Sequence, residues 1–238
     1  MIIPMTITDF TATTAPSLRP VVEDLYRDIH KGIRSELFAI TERAGNLDPA
    51  DRGDRADLSA HVQCVVHLLV THAEHEDSHV QPALERHLPD LATQVEGDHH
   101  RLEARIQLLA ERAADLVDVA GDARWQGHQL YVELASFTST YLVHQDLEER
   151  IIMPALQDAI GVEACVGVHQ AIVGSIPPED MAMSLAVMLP AMNVDDRAEL
   201  LGGMQAGAPA EVFQGVWGLA ASVLECRDVE ALAARLGL

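Results

Sequence analysis

The chain has 238 residues, which is enough for one large domain or two small ones. Hydrophobic residues make up 48% of it and aromatic residues only 4%, and the abundance of Ala, Leu and Val favours helix over sheet. Lys and Arg number 16 against 37 Asp and Glu, which gives a net charge of -21. Because nucleic acids and anionic membranes are bound by clustered cations, both are poor partners for this chain.

The cysteines indicate a reducing compartment. Their number is odd and no CxxC motif occurs, so no disulfide framework is expected for Cys64, Cys165 and Cys226. The N-terminal stretch has neither the cationic segment nor the sustained apolar segment of a secretory signal. The longest apolar run, MAMSLAVMLPAM, is too short to span a bilayer. We therefore expect a cytoplasmic protein.

Residues 1–17 are rich in Thr and irregular, and they predict a flexible leader. Four amphipathic patterns follow, in which apolar residues and histidines recur at alternating spacings of three and four and form one stripe along each helix. These predicted helices, A to D, extend over residues 22–40, 58–79, 95–116 and 130–151. Segments rich in Gly, Pro and Asp separate them. The pattern predicts an antiparallel four-helix bundle over residues 18–158.

Beyond Pro154 the composition changes to Ala, Gly and Met, with few histidines. Residues 159–238 predict a smaller C-terminal α-helical region, and no catalytic or ligand-binding motif was found in it. Its predicted helices cover residues 160–174, 178–191, 195–205, 209–225 and 228–236. The predicted fold class is therefore all-α, with a bundle followed by a second helical region of unknown role.

A duplicated motif relates helix B to helix D. The stretch HAEHEDSHVQPAL begins at His72, and HQDLEERIIMPAL begins 72 residues later at His144. In both stretches a glutamate follows the histidine by four residues, and a proline and a leucine follow at matching positions. Residues four apart on a helix point the same way, so each helix can present an imidazole and a carboxylate to one place. A solvated polar face has no reason to recur in register, so the repeat predicts metal ligands.

Each of the four stripes contains a histidine at a position that should face the core. Helix A has His30 and helix C has His99, and the residues that follow these two match at an offset of 69. His100 lies next to His99 but off the stripe. A buried imidazole or carboxylate destabilises a protein unless it is paired or bound to metal. The sequence therefore predicts a pocket of nitrogen and oxygen ligands for two metal ions, which suits iron or manganese and tolerates zinc.

The order His, HxxxE, His, HxxxE resembles the hemerythrin-like, or HHE cation-binding, family over about residues 20–158. This resemblance implies an antiparallel four-helix bundle around two oxygen-bridged irons. The implied bridging carboxylates are Glu76 and Glu148, and the implied terminal ligands are His30, His72, His99 and His144.

The sequence departs from the invertebrate oxygen carriers of that family at two places. Those proteins have HxxxH on the third helix, whereas here Glu103 follows His99 by four residues. They have HxxxxD on the fourth helix, whereas here the motif is HxxxE. We include Glu103 among the predicted metal ligands, with a surface acid as the alternative. The carboxylate-rich set resembles bacterial members linked to nitric oxide, peroxide and iron handling.

The resemblance implies a non-heme di-iron protein that binds dioxygen, peroxide or nitric oxide. If it is an enzyme, the expected reactions are peroxide disproportionation or nitric oxide oxidation, in oxidative or nitrosative stress defence. One alternative is a non-enzymatic iron or oxygen sensor or storage protein, in which metal loading is coupled to folding. Another is a structural zinc bundle.

Two further side chains lie one helical turn from predicted ligands. His79 follows Glu76 on the same stripe, and we expect it behind the ligands rather than among them. Tyr141 precedes His144, and it is either an ordinary core aromatic residue or a phenol that donates a hydrogen bond at the centre.

The stripe of helix C generates a direct test, because it contains His99 and excludes His100. We expect His99→Ala to lose at least part of the bound metal and His100→Ala to keep it. Metal content per chain, measured by mass spectrometry on both variants, checks this. The reverse result would shift helix C by one residue.

Overall fold

The computed structural model describes residues 17–238, and every regular element in that range is helical, as predicted. The predicted flexible leader lies outside the described residues except for its last residue. In chain order, the elements are α1 (Arg27–Gly45), α2 (Arg52–His79), α3 (Gln81–His87), α4 (Pro89–Val117), α5 (Arg124–Leu147), a π-helical turn (Glu148–Ile152), α6 (Met153–Ile160), α7 (Val162–Ser175), α8 (Pro178–Ala191), α9 (Val194–Gly207), α10 (Ala210–Val223) and α11 (Cys226–Leu236).

The four long helices α1, α2, α4 and α5 enclose one core. Helix α1 contacts α2 and α5, and α4 contacts the same two helices. Between them lie Leu37, Leu69, Ile106 and Leu134, one from each predicted stripe, and all four are buried. The spacing of three and four therefore located the inward face of each helix correctly, because residues at that spacing share one side of an α-helix.

The first predicted helix starts too early. Residue 22 was expected to be helical, but α1 begins at Arg27. The carboxylate of Asp24 accepts hydrogen bonds of 3.1 Å from the amides of Tyr26 and Arg27. Those amides have no partner within the helix, so a side-chain acceptor here fixes where the helix begins.

Proline follows both histidine–glutamate motifs, and the chain accommodates the two prolines differently. Helix α2 ends at His79, and Pro82 lies in the first turn of α3. Helix α5 instead continues through the π-helical turn Glu148–Ile152 into α6, which has Pro154 in its first turn. A proline lacks the amide hydrogen and collides with the carbonyl four residues earlier, so a helix must break or widen before it. The prediction of a plain helix up to residue 151 was therefore wrong over its last turn.

The C-terminal region consists of five helices, α7 to α11, close to the predicted ranges. Helix α7 contacts α2 and α6, and α8 packs along α1. Helix α10 contacts α8, α9 and α11, around an apolar cluster that contains Leu185, Leu189, Leu201 and Leu232. The region is thus attached to the four long helices through α7 and α8. The boundary predicted at residue 158 falls in the last turn of α6.

No single helix within residues 17–238 is long and apolar enough to cross a membrane. One pair of segments, Arg124–Ile160 and Val162–Ser175, satisfies the same test of length and composition when taken together, although the two are bent by 116°.

Gly32 sets the distance between α1 and α8. A Cβ at this buried position would lie 2.9 Å from Cγ1 of Val187 and 3.3 Å from the backbone of Met188. A backbone atom cannot rotate out of the way as a side-chain tip can. Any larger residue must therefore push the two helices apart.

We expect Gly32→Leu to lower the free energy of unfolding by about 1–3 kcal/mol, the usual cost of overpacking a tight contact. Urea unfolding measures this, and limited proteolysis should show earlier cleavage in the C-terminal region. Gly167→Leu is the control, because that glycine lies on α7 with nothing within 4 Å of its added Cβ. Equal losses in the two variants would contradict the close contact of α1 with α8.

Candidate metal centre

Six of the seven predicted ligands converge between the four long helices, and all six are buried. They are His30 from α1, His72 and Glu76 from α2, His99 from α4, His144 from α5 and Glu148 from the first position of the π-helical turn. Their donor atoms form two groups, in each of which all atoms lie within 4.8 Å of one another. The groups are Glu76, His99, His144 and Glu148, and His30, His72 and Glu76.

Each glutamate lies between histidines of the two groups. Oε1 of Glu76 is 3.1 Å from Nε2 of His72, and Oε2 is 3.3 Å from Nε2 of His99. The second glutamate repeats this arrangement. Oε1 of Glu148 is 3.1 Å from Nε2 of His144, and Oε2 is 3.4 Å from Nε2 of His30.

Several buried polar atoms of the centre have no hydrogen-bond partner among the described residues. They are both carboxylate oxygens of Glu76, Oε2 of Glu148, Nε2 of His99 and Nδ1 of His144. The imidazole nitrogens are near these oxygens but not in the orientation of a hydrogen bond. A buried carboxylate without a partner strongly destabilises a fold. A cation among these atoms removes that penalty, and imidazole with carboxylate is a donor set that iron, manganese and zinc accept.

Two acids that the sequence analysis missed orient the histidines. Nδ1 of His30 is 3.0 Å from Oε1 of Glu149, and Nδ1 of His99 is 2.7 Å from Oδ1 of Asp77. When Nδ1 donates to an acid, Nε2 of the same ring is left free to bind a metal. Glu149 is held in turn by two hydrogen bonds of 2.7 and 3.0 Å from the guanidinium of Arg34.

The 72-residue repeat in the sequence also relates these two acids. Asp77 directly follows Glu76, and Glu149 directly follows Glu148, so the two acids have the same offset of 72 as the other matched pairs. A comparison restricted to identical residues overlooks them, because one is Asp and the other Glu. In both copies, the acid hydrogen-bonds a histidine of a different helix.

Burial and the neighbouring carboxylates shift the pKa values of the histidines in opposite directions. Burial lowers the pKa of His72 to about 4, so this ring is neutral at pH 7. Burial also disfavours the charged form of His99, but the hydrogen bond to Asp77 and the nearby carboxylates of Glu148 and Glu76 outweigh it and raise its pKa to about 12. Burial alone would raise the pKa of the Glu148 carboxyl, but His144 and His99 hold it well below its usual value. A metal ion must displace the proton of His99, so metal affinity increases with pH.

The seventh predicted ligand, Glu103, belongs to neither group of donor atoms. His99, Leu102 and Ile106 take the inward positions of α4, and Glu103 lies beside them with its side chain exposed. This placement agrees with the alternative of a surface acid. His79 also lies apart from the ligands, because its Nε2 is 3.1 Å from Oγ of Ser175 on α7.

Two buried tyrosines flank the centre. The ring centroid of Tyr26 is 5.1 Å from that of His30, and the centroid of Tyr141 is 5.8 Å from that of His144. Burial and the nearby glutamates raise the pKa of both phenols well above its usual value, so both are neutral hydrogen-bond donors. Tyr141 packs in the core and also lines a cavity. Its role as a hydrogen-bond donor at the centre stays a prediction.

That cavity has a volume of about 110 Å³ and lies between α2, α4 and α5. His99 and His144 line it together with Tyr141. The histidines of the other group, His30 and His72, do not.

The model of the hemerythrin HHE cation binding domain matches residues 21–156. The chain belongs to this hemerythrin HHE family. The matched range contains all six converging ligands and ends within α6, so α7 to α11 lie outside the HHE domain. The resemblance read from the His and Glu spacing is thereby confirmed. A search of curated proteins and a search of solved structures gave no match.

Glu148 offers the sharpest test of an HHE metal centre, because it lies within 4 Å of three of the histidines. We expect Glu148→Ala to lose the metal ions and the stability they provide, which is about 2.7 kcal/mol when metal is at 100 times its dissociation constant. Metal analysis and thermal unfolding with and without added metal measure both. Glu103→Ala is the control and should retain the metal. Loss of metal from Glu103→Ala would instead make Glu103 a ligand.

Proposed function

We propose that this HHE protein is a non-heme di-iron protein that binds dioxygen, peroxide or nitric oxide in oxidative or nitrosative stress defence. The observation that carries the proposal is the pair of buried glutamates, each lying between histidines of two ligand groups. A site of imidazoles and carboxylates without thiolate suits iron, and manganese or zinc can take the same ligands. We further propose that the four long helices run antiparallel, as the HHE bundle implies.

In this proposal, two iron ions would supply reversible electron transfer and a coordination position for a small molecule. The negative charges of the two glutamates would balance part of the charge of the ions. The residues that would hold the ions are His30, His72, His99 and His144 together with Glu76 and Glu148. Asp77 and Glu149 would keep the rings of His99 and His30 in the tautomer that leaves Nε2 free.

The surroundings of the centre favour a small substrate. The adjoining cavity of about 110 Å³ holds only a few non-hydrogen atoms. Tyr141 lines it as a neutral phenol and would donate a hydrogen bond to a molecule held there. We therefore propose peroxide disproportionation or nitric oxide oxidation as the reaction. We place it in the cytoplasm, where three free cysteines stay reduced.

A sensor of iron or oxygen is the second candidate. It is favoured by the contact of the C-terminal helices with α1 next to a ligand. Lys31 directly follows His30 and pairs with Asp196 of α9, and α8 packs along α1. A change in metal loading that moved α1 would therefore reach the surface of the C-terminal region.

The first experiment is metal analysis of protein purified without added metal, with an ultraviolet–visible spectrum of the same sample. We expect about two irons per chain, as in the di-iron bundles, and a near-ultraviolet charge-transfer band. Consumption of peroxide or nitric oxide, absent in Glu148→Ala, would distinguish an enzyme from a sensor, which binds without consuming. Zinc with a featureless spectrum would contradict the redox proposal and leave a structural zinc bundle.

A further inference from the structure

The cavity between α2, α4 and α5 reaches one half of the candidate centre and does not reach the other half. We propose that this cavity is the route by which a divalent metal cation enters, and that the position at His99 and His144 fills before the position at His30 and His72. The inference rests on the metal binding proposed above and adds the path and the order of loading.

The outer wall of the cavity is acidic. Glu74 and Glu103 are exposed, and the side chain of Asp77 is 54% exposed. All three line the cavity, and no lysine or arginine of the described chain does. Charges of one sign along a cleft with apolar walls concentrate counter-ions and raise association rates by a factor of about 10 to 10³. The cavity therefore attracts cations and repels anions.

The inner wall of the cavity provides ligands. His99 and His144 are 8% and 4% exposed, and Nε2 of His99 and Nδ1 of His144 have no hydrogen bond within residues 17–238. The volume of about 110 Å³ is enough for several waters, since one buried water needs about 10–15 Å³. A partly hydrated cation thus has room to exchange its waters for imidazole. Asp77 connects the two walls, because it lines the cavity and accepts from Nδ1 of His99.

The cavity does not reach the other half of the centre, at His30 and His72. His30 is fully buried, and Glu149 and Arg34 lie behind its Nδ1. Along the same helix, α8 packs on α1, and Lys31 is paired with Asp196 of α9. A cation approaching from the side of α1 therefore meets packed helices.

Glu76 provides the passage between the two halves. Its Oε2 is 3.3 Å from His99 and its Oε1 is 3.1 Å from His72, so its two oxygens belong to different groups of ligands. An ion that enters beside His99 can move to the enclosed position while it stays bound to this carboxylate. The first position is then free for a second ion.

The experiment is cobalt(II) uptake by the metal-free full chain, followed by visible absorbance in a stopped-flow instrument. The variant Glu74→Gln/Glu103→Gln removes two charges at the mouth. The control Glu96→Gln/Glu111→Gln removes two exposed charges from α4 outside the cavity. We expect uptake at low salt to be about ten times slower in the mouth variant than in the control, with the same final cobalt content. The difference should shrink as salt is added, because exposed charges are screened.

The order of filling is tested with His30→Ala and His144→Ala. We expect His30→Ala to take up its remaining ion at the fast initial rate of the wild type. In His144→Ala the entry position is damaged, so uptake should be at least about tenfold slower, which is 1.4 kcal/mol in barrier height. Equal rates for the mouth variant and its control, equal rates for the two histidine variants, or a lower final cobalt content in the mouth variant would each overturn the proposal. A wild type that binds neither cobalt nor iron would overturn the proposed function as well.

Discussion

The burial of two carboxylates in an apolar core is the constraint on which this structure depends. Glu76 and Glu148 are buried beside four histidines, and a buried carboxylate without a partner costs a large fraction of the stability of an ordinary domain. Compensation has to come from all four long helices, because no single helix provides enough partners. The level at which the helices meet is therefore fixed by these two side chains, and the apolar stripes above and below fill the space that remains.

Apolar periodicity was enough to predict the helices and the six side chains that converge, because residues on one stripe share the inner face of a helix. It could not predict what lies beside the stripe. Asp77 and Glu149 lie at the edge of the inner face, where the sequence pattern predicts an acid exposed to solvent. Each accepts a hydrogen bond from a histidine of another helix, and this contact depends on how the helices pack. The π-helical turn before Pro154 was also missed, since the equivalent Pro82 follows a plain helix end.

The two halves of the centre are alike in ligands and different in surroundings. Asp77 and Glu149 make equivalent hydrogen bonds, yet Asp77 borders a cavity while Glu149 is clamped by Arg34. Duplication of a helical hairpin explains the likeness. The difference arises because the C-terminal helices pack on α1 and leave the side between α2, α4 and α5 open. One of the two matching groups of histidines and glutamates therefore borders a cavity, and the histidines of the other group do not.

The close contact of α8 with α1 has a consequence for cooperativity. Met183 and Val187 of α8 pack against the main core, and Cys165 of α7 belongs to the same apolar cluster as Leu84 and Ile152. The segment that defines the family ends at residue 156, but the apolar surface it buries does not end there. The segment that matches the family model thus ends at residue 156, whereas the apolar clusters that it contributes to include residues of α7 and α8. Excision along the family border would leave α1 with an uncovered apolar flank, so α8 contributes to the stability of the four long helices.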